Sequence, residues 1–190
     1  MDKKMNQNYL FTGLNMDFEQ EYQDACVRNT DMHEHLPWIS ELTSECKHAT
    51  ELGVGYAQST RGFLRHDIEM HSYEISPYDV TRQYFADAQA SGRNVTLHVC
   101  STLETEIAPT EIMLVDSYHS YEQVKGELAL HADKVSKYIL FHDTELFGER
   151  GQGGEEGVWK AIQEFLDANP QWQLVERRTN NNGMTLIKRV

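Results

Sequence analysis

Two apolar runs, each closed by an acid, constrain the fold of this chain most. Glu111 to Asp116 reads E-I-M-L-V-D, and Ser136 to Asp143 reads S-K-Y-I-L-F-H-D. Runs this short and apolar on both alternating faces describe strands buried on both sides. Such strands belong to parallel sheets covered by helices on each face. With 190 residues the chain has room for one domain of this kind.

The remaining segments alternate around these two. A helix is expected from Asp17 to Asn29, with Phe18, Tyr22 and Cys26 on one face, and a second from Pro37, with Ile39, Leu42 and Cys46 as its apolar stripe. These two helices could form a lid over a ligand. Residues 1–16 show no period and read as a loose arm. His48 to Leu52 reads as a strand and Ser59 to Arg65 as a helix. Glu69 to Glu74 is a short strand. Asp79 can cap a helix with Val80, Tyr84 and Ala88 inward, ended by Gly92. Asn94 to Cys100 alternates as a strand, and Ser120 to Ala132 is helical with Tyr121, Val124 and Leu128 on one face. After the second apolar run come a glycine-rich loop, 144–157, and a helix with Val158, Ile162 and Phe165 inward. Trp172 to Arg177 and Gly183 to Lys188 then close the chain as an antiparallel hairpin. The expectation is a doubly wound, mostly parallel α/β sheet built from five β-α units. Residues 1–46 form an arm and helices, and 47–190 a Rossmann-like core.

Open sheets of this type bind ligands at the carboxyl ends of their strands. The first strand ends in Glu51-Leu52-Gly53-Val54-Gly55-Tyr56-Ala57-Gln58-Ser59-Thr60. Glycines at a strand-to-helix turn let the backbone approach a ligand closely. The dinucleotide pattern G-x-G-x-x-G is not met, because Gln58 stands where the third glycine would be. Glu74 follows Gly55 by about 20 residues, the spacing at which an acid accepts hydrogen bonds from ribose hydroxyls. The third strand ends in Cys100-Ser101, the fourth in Asp116-Ser117-Tyr118-His119, and the fifth in His142-Asp143-Thr144. Neighbouring strands lie about 4.8 Å apart, so Asp116 and Asp143 converge if the fourth and fifth strands are adjacent. Carboxylates that close need a cation or a shared proton between them. Oxygen ligands suit a hard ion such as Mg²⁺, whereas Asp116, His119 and His142 would suit a softer transition metal. His119 beside such a site could also take a proton. Tyr118, Tyr121 and Phe147 lie near the same rim and could contact substrate, although the helical spacing of Tyr121 favours a place in the core, and Arg150 is the one cation of the 144–157 loop.

Composition excludes several function classes. The formal net charge is −13, which argues against a general nucleic-acid binder. The longest aliphatic runs, Ile112–Val115 and Ile139–Phe141, are too short to span a bilayer. Cys26, Cys46 and Cys100 form no C-x-x-C pair and no even set, and the first ten residues lack the apolar core of a signal peptide. Reduced thiols in the cytoplasm are the expectation.

The turn E-L-G-V-G-Y-A-Q-S-T, the acid Glu74, the segment V-D-S-Y-H-S-Y-E (Val115–Glu122) and the segment F-H-D-T (Phe141–Thr144) resemble the class I S-adenosylmethionine-dependent methyltransferases. The resemblance covers residues 31–190 and is nearest to the branch containing cephalosporin hydroxylase-like proteins and metal-dependent macrolide-sugar O-methyltransferases. It implies a seven-stranded sheet whose final hairpin places one strand antiparallel. It also implies that Gly53 and Gly55 hold the methionine part of S-adenosylmethionine, with Glu51 and Ser59 nearby. Glu74 would bind the ribose, and Ser101 and Asp116 would line the same cofactor site. Asp116 and Asp143, with His142 adjacent, would bind Mg²⁺, and His119 would be the general base. Ala57 stands where related chains often carry glycine, and Asp116-Ser117-Tyr118-His119 where D-G-D-H is common. The implied partner is a small-molecule or sugar substrate, and a homo-oligomer is compatible with the family. Two other readings stay open: a metal-dependent oxygenase or hydroxylase using Asp116 and the two histidines, and a non-catalytic module that keeps the cofactor pocket.

Overall fold

The computed structural model describes residues 15–190, so the arm expected over residues 1–16 lies almost wholly outside the described residues. The chain enters as helix α1 (Phe18–Val27), capped by Asp17, whose Oδ1 accepts the Gln20 N–H at 3.0 Å. A 3-10 turn (His33–His35) leads into α2 (Leu36–Thr43). The alternating part follows as β1 (His48–Leu52), α3 (Gln58–Leu64), β2 (Glu69–Glu74), α4 (Asp79–Ala90), β3 (Val95–Val99) and β4 (Thr110–Val115). It continues as α5 (Tyr121–His131), β5 (Val135–His142), α6 (Val158–Ala168), β6 (Trp172–Arg178) and β7 (Met184–Arg189). The strands form one seven-stranded sheet in the order β3-β2-β1-β4-β5-β7-β6. The first five in that order run parallel, and β7 is antiparallel to both β5 and β6.

The two apolar runs are the central strands, and alternation divides their side chains between two cores. Ile112 and Leu114 of β4, with Tyr138 and Leu140 of β5, pack with α1 to α4. Met113 and Val115, with Ile139 and Phe141, pack with α5 and α6 on the opposite face. Helices thus cover both faces, as expected.

Two local expectations fail. The crossover from β3 to β4, residues 100–109, contains no helix, so the third β-α unit lacks its α part. Ten residues are near the minimum for a parallel crossover, and Pro109 and two threonines disfavour a helix there. Ile107 is buried in the α5–α6 core from this loop. In α4 Tyr84 and Ala88 are buried as expected, but Val80 is exposed, and Thr81 and Phe85 complete the buried face instead. Asp79 is the first helical residue, with Tyr78 at the cap position. The Thr81 hydroxyl donates to the Gly55 carbonyl at 2.5 Å and ties α4 to the glycine turn.

Candidate functional site

The strand order reverses between β1 and β4, the crevice at which sheets of this type bind ligands. Gly53 turns the chain away from β1 at φ +85°, and a Cβ there would stand 2.1 Å from the Asp116 carbonyl oxygen. Only glycine lets the two strand tips close, and they do so through the Asp116 N–H, which donates to the Leu52 carbonyl at 2.8 Å. Gly55 (φ +50°) and Ala57 (φ +57°) are also left-handed. The position of the Gly55 Cβ would be open space. Glu74 lies beside this turn. Its Oε2 accepts the Val54 and Gly55 N–H groups at 3.1 and 3.3 Å, and its Oε1 the Ser76 N–H at 3.0 Å.

Glu51 and Ser59 lie one layer below the turn, buried and bonded to each other. Glu51 accepts hydroxyl protons from Ser59 at 2.5 Å, Thr60 at 3.0 and 3.2 Å and Ser72 at 2.8 Å. Burial outweighs these bonds and pushes its carboxyl up to about 7. Both residues join α3 to β1 and β2, beneath the turn they support. Ser101, half-buried, stands beyond β2 at the tip of β3, where its hydroxyl accepts the Leu103 N–H at 3.2 Å.

Across the switch point, four expected residues come together. Because β4 and β5 pair in parallel with Val115 opposite Phe141, the next residues, Asp116 and His142, meet at the sheet edge. Asp116 Oδ1 lies 3.1 Å from His142 Nδ1 and 3.2 Å from His119 Nε2. His119 Nε2 is 3.0 Å from Asp143 Oδ2, and His142 Nδ1 is 3.8 Å from the same oxygen. Asp143 sits at φ +58°, a conformation that Asp tolerates better than most residues. Its Oδ1 is buried and accepts no hydrogen bond from any of the described residues.

The charges explain the titration of the cluster. Burial opposes the ionisation of Asp116, but the His142 charge and the hydrogen bonds from His119 and His142 outweigh it and hold the carboxyl down at about 2. Burial likewise opposes a charge on His119, yet hydrogen bonds and charges of Asp116 and Asp143 push it up to about 10. The same carboxylates, against burial, push His142 up to about 9. Two imidazolium groups thus supply the positive charge that the carboxylate pair requires.

The donor set also fits a divalent ion. Asp116, His142 and Asp143 each offer one ligand atom, all within 4.8 Å of one another. His142 Nε2–H donates to the Asp31 carbonyl at 2.9 Å, which directs Nδ1 toward the carboxylates, as expected of a metal-ligating histidine. The unpartnered Asp143 Oδ1 offers a further acceptor.

Several residues of this site were not singled out from the sequence. Gln152 reaches from the 144–157 loop: its Oε1 accepts His119 Nδ1–H at 3.1 Å, and its N–H donates to the His119 carbonyl at 2.9 Å. Phe147, expected at the rim, stacks on the His119 ring with centroids 5.0 Å apart. Asp31 contributes through its carbonyl, and the buried His35 ring stands edge-on to His142 at 5.7 Å. Tyr118 is exposed at the rim. Tyr121 points elsewhere and donates to Glu164 Oε2 on α6 at 2.7 Å. Arg150 Nε donates to the Gly154 carbonyl within its own loop at 3.2 Å. Two surface hollows, one along α6 and β6 and one between α5 and α6, contain none of the cluster residues.

No protein-family model matches this chain, and no curated protein matches it by sequence. Solved structures do. A candidate caffeoyl-CoA O-methyltransferase of Staphylococcus aureus superposes with a TM-score of 0.68 at 14% identity, covering 93% of each chain. The N-methyltransferase NodS of Bradyrhizobium japonicum WM9, in complex with S-adenosylhomocysteine, gives 0.64 at 9% identity, over 92% of this chain and 99% of that one. The S-adenosylhomocysteine-bound methyltransferase PaMTH1 of Podospora anserina gives 0.61 at 15% identity, over 96% and 99%. With its seven-stranded sheet and terminal antiparallel hairpin, the chain has the class I methyltransferase fold.

Proposed function

We propose that this chain is an S-adenosylmethionine-dependent methyltransferase that methylates a hydroxyl group of a small molecule or sugar with the help of a divalent cation. The observation that carries the reading is the convergence of Asp116, His119, His142 and Asp143 at the carboxyl edge, across the switch point from the glycine turn and Glu74. The fold's cofactor-bound neighbours support the methyl donor. When bound, S-adenosylmethionine supplies the methyl group, and a divalent ion at Asp116, His142 and Asp143, Mg²⁺ by the preponderance of oxygen, supplies positive charge that acidifies an acceptor hydroxyl.

The chain's own residues do the positioning. The backbone at Gly53 and Gly55 leaves room for the donor, and Glu74 presents its carboxylate beside it. His119 is held by Gln152 at Nδ1 and by Phe147 on its face, so Nε2 points at the carboxylates. It keeps its proton while Asp116 and Asp143 carry unneutralised charge. With those carboxylates engaged elsewhere, Nε2 becomes free to accept the proton of the acceptor. A net charge of −13 favours a small acceptor over a nucleic acid. No helix among the described residues is long and apolar enough to cross a membrane. A cytoplasmic enzyme, as a monomer or a homo-oligomer, is part of this proposal.

A second reading has its own observation. His119 Nε2 and His142 Nδ1 both lie within hydrogen-bonding distance of Asp116 Oδ1, and two histidines with one carboxylate suit an iron(II) oxygenase. Calorimetric titration with S-adenosylhomocysteine separates the two. Binding is expected, and its absence at about millimolar ligand, roughly 4 kcal/mol of affinity, sinks the methyltransferase reading. Replacing His119 or Asp116 separates an enzyme from a cofactor-binding module, because either change should abolish methyl transfer to a confirmed acceptor.

A further inference from the structure

Glu127 is a buried carboxylate outside the Asp116–Asp143 cluster. It sits on α5, fully shielded from solvent. Its Oε1 accepts three hydrogen bonds: from the Thr102 hydroxyl at 2.6 Å, the Ser117 hydroxyl at 2.6 Å and the Gln123 side-chain amide at 2.9 Å. The same amide donates to Thr102 Oγ1 at 2.9 Å, and His131 Nε2–H donates to the Thr102 carbonyl at 2.8 Å. Burying a carboxylate is costly unless it is well bonded, so the placement of Thr102 and Ser117 around it is tightly specified.

Those two residues follow strands that are not neighbours. Thr102 follows β3 and Ser117 follows β4, strands that lie about 14 Å apart at the usual spacing with β2 and β1 between them, yet both hydroxyls reach one oxygen at 2.6 Å. The crossover 100–109 has no helix of its own, and its start is fastened to α5 instead. Leu103 lies so close over Gly126 that a Cβ there would stand 2.7 Å from Leu103 Cδ2. Glu127 therefore ties the start of the β3–β4 crossover to the segment that follows β4, where Ser117 packs so close to the glycine turn that a Cβ on Gly53 would stand 2.7 Å from its Cα.

We propose that Glu127 is a positioning residue for the cofactor cleft: by holding Thr102 and Ser117 on one oxygen, it sets the wall that faces the nucleoside part of the methyl donor. The proposal rests on the methyltransferase reading. Among the described residues none donates to Glu127 Oε2, so glutamine can keep all three bonds at Oε1, whereas alanine loses them. The test is calorimetric titration of S-adenosylhomocysteine into wild type, Glu127→Gln and Glu127→Ala, with urea unfolding midpoints measured in parallel. Glu127→Ala should weaken binding about tenfold or more and Glu127→Gln less than about threefold, where tenfold equals about 1.4 kcal/mol. Should Glu127→Ala not fold, Thr102→Val and Ser117→Ala each remove one of the bonds and should each weaken binding by a smaller factor. Unchanged binding in the folded variants overturns the proposal, as does an equal loss in the glutamine and alanine variants. A wild-type protein that binds no S-adenosylhomocysteine overturns the methyltransferase reading and the proposal with it.

Discussion

Glu51 makes the stability of this protein depend on pH in a direction opposite to that of most carboxylates. It is fully buried and accepts hydroxyl protons from Ser59, Thr60 and Ser72, yet burial pushes its carboxyl from 4.5 up to about 7. Between those two values the folded chain holds a proton that the unfolded chain releases. The contribution is therefore fully present below about pH 4.5 and is lost as pH rises through about 7. One pKa unit corresponds to about 1.4 kcal/mol, so the whole interval is worth about 3 kcal/mol, and about 2–3 kcal/mol of it falls between pH 5 and pH 8. Glu51→Gln has the same shape and cannot ionise. The three hydroxyls around it can rotate to donate or to accept, so the amide can be accommodated. Urea unfolding of both proteins at about pH 5 and about pH 8 gives the stability gap at each. Relative to wild type, the variant should gain about 2–3 kcal/mol on going to the higher pH. His119 and His142 titrate in both proteins and cancel in the difference. A gap that stays constant to within about 0.5 kcal/mol between the two pH values refutes the assignment of a raised, buried carboxyl to Glu51.

Gly53→Ala should destabilise the chain by about 3 kcal/mol, combining a left-handed alanine with a clash at the Asp116 carbonyl, and should abolish S-adenosylhomocysteine binding; an unchanged melting temperature would contradict the close approach of β1 and β4. Binding of Mn²⁺ or Mg²⁺ near pH 7 should release about one to two protons per ion, because His142 carries a proton on the nitrogen that would ligate and His119 loses the charges that hold its own. Calorimetry in two buffers of different ionisation enthalpy reads this directly, and zero release would count against His142 as a ligand. In metal-free protein, His119 and His142 have raised pKa values, so their contribution to stability is complete below about pH 6.5 and is lost as pH rises through about 9 to 10. His119→Ala should flatten that decline, and an identical alkaline profile in the variant would refute the ion pairing of His119.

The readable parts of this protein are those where local pattern and global requirement agree. β4 and β5 could be identified because a central parallel strand must be apolar on both faces. Asp116, His142 and Asp143 then followed from the rule that places chemistry at the carboxyl ends. Gln152 was not legible, because its meeting with His119, 33 positions away in sequence, depends on how a glycine-rich loop folds back. The same holds for the Asp31 carbonyl, 111 positions from His142, where a backbone oxygen leaves no mark on residue type. Nothing in the sequence marks Glu127, and only the path of the 100–109 crossover makes it a bonding centre. Val80 and Thr81 exchanged roles, since Thr81 is buried with its hydroxyl bonded to the Gly55 carbonyl, a polar contact that hydrophobic period does not report.

The two sides of the switch point differ in how they are held, and the difference bears on mechanism. The turn side is fixed by interactions that a ligand need not disturb: the Gly53–Asp116 contact, the Thr81 bond and the buried hydroxyls around Glu51. The cluster side is held by charge. Two carboxylates meet two imidazoles, and in the metal-free protein protons neutralise the pair. An arrangement of that kind is stable without a ligand but can exchange protons for a cation without moving its backbone. His142 is anchored by the Asp31 carbonyl and His119 by Gln152, so both rings keep their orientation through such an exchange. His142 would lose its proton to become a ligand, and His119, whose anchor lies in the loop, would lose the neighbouring charges that hold the proton on its Nε2 and so release it. One charge-balanced cluster can thereby hold a proton at rest and accept one in turnover.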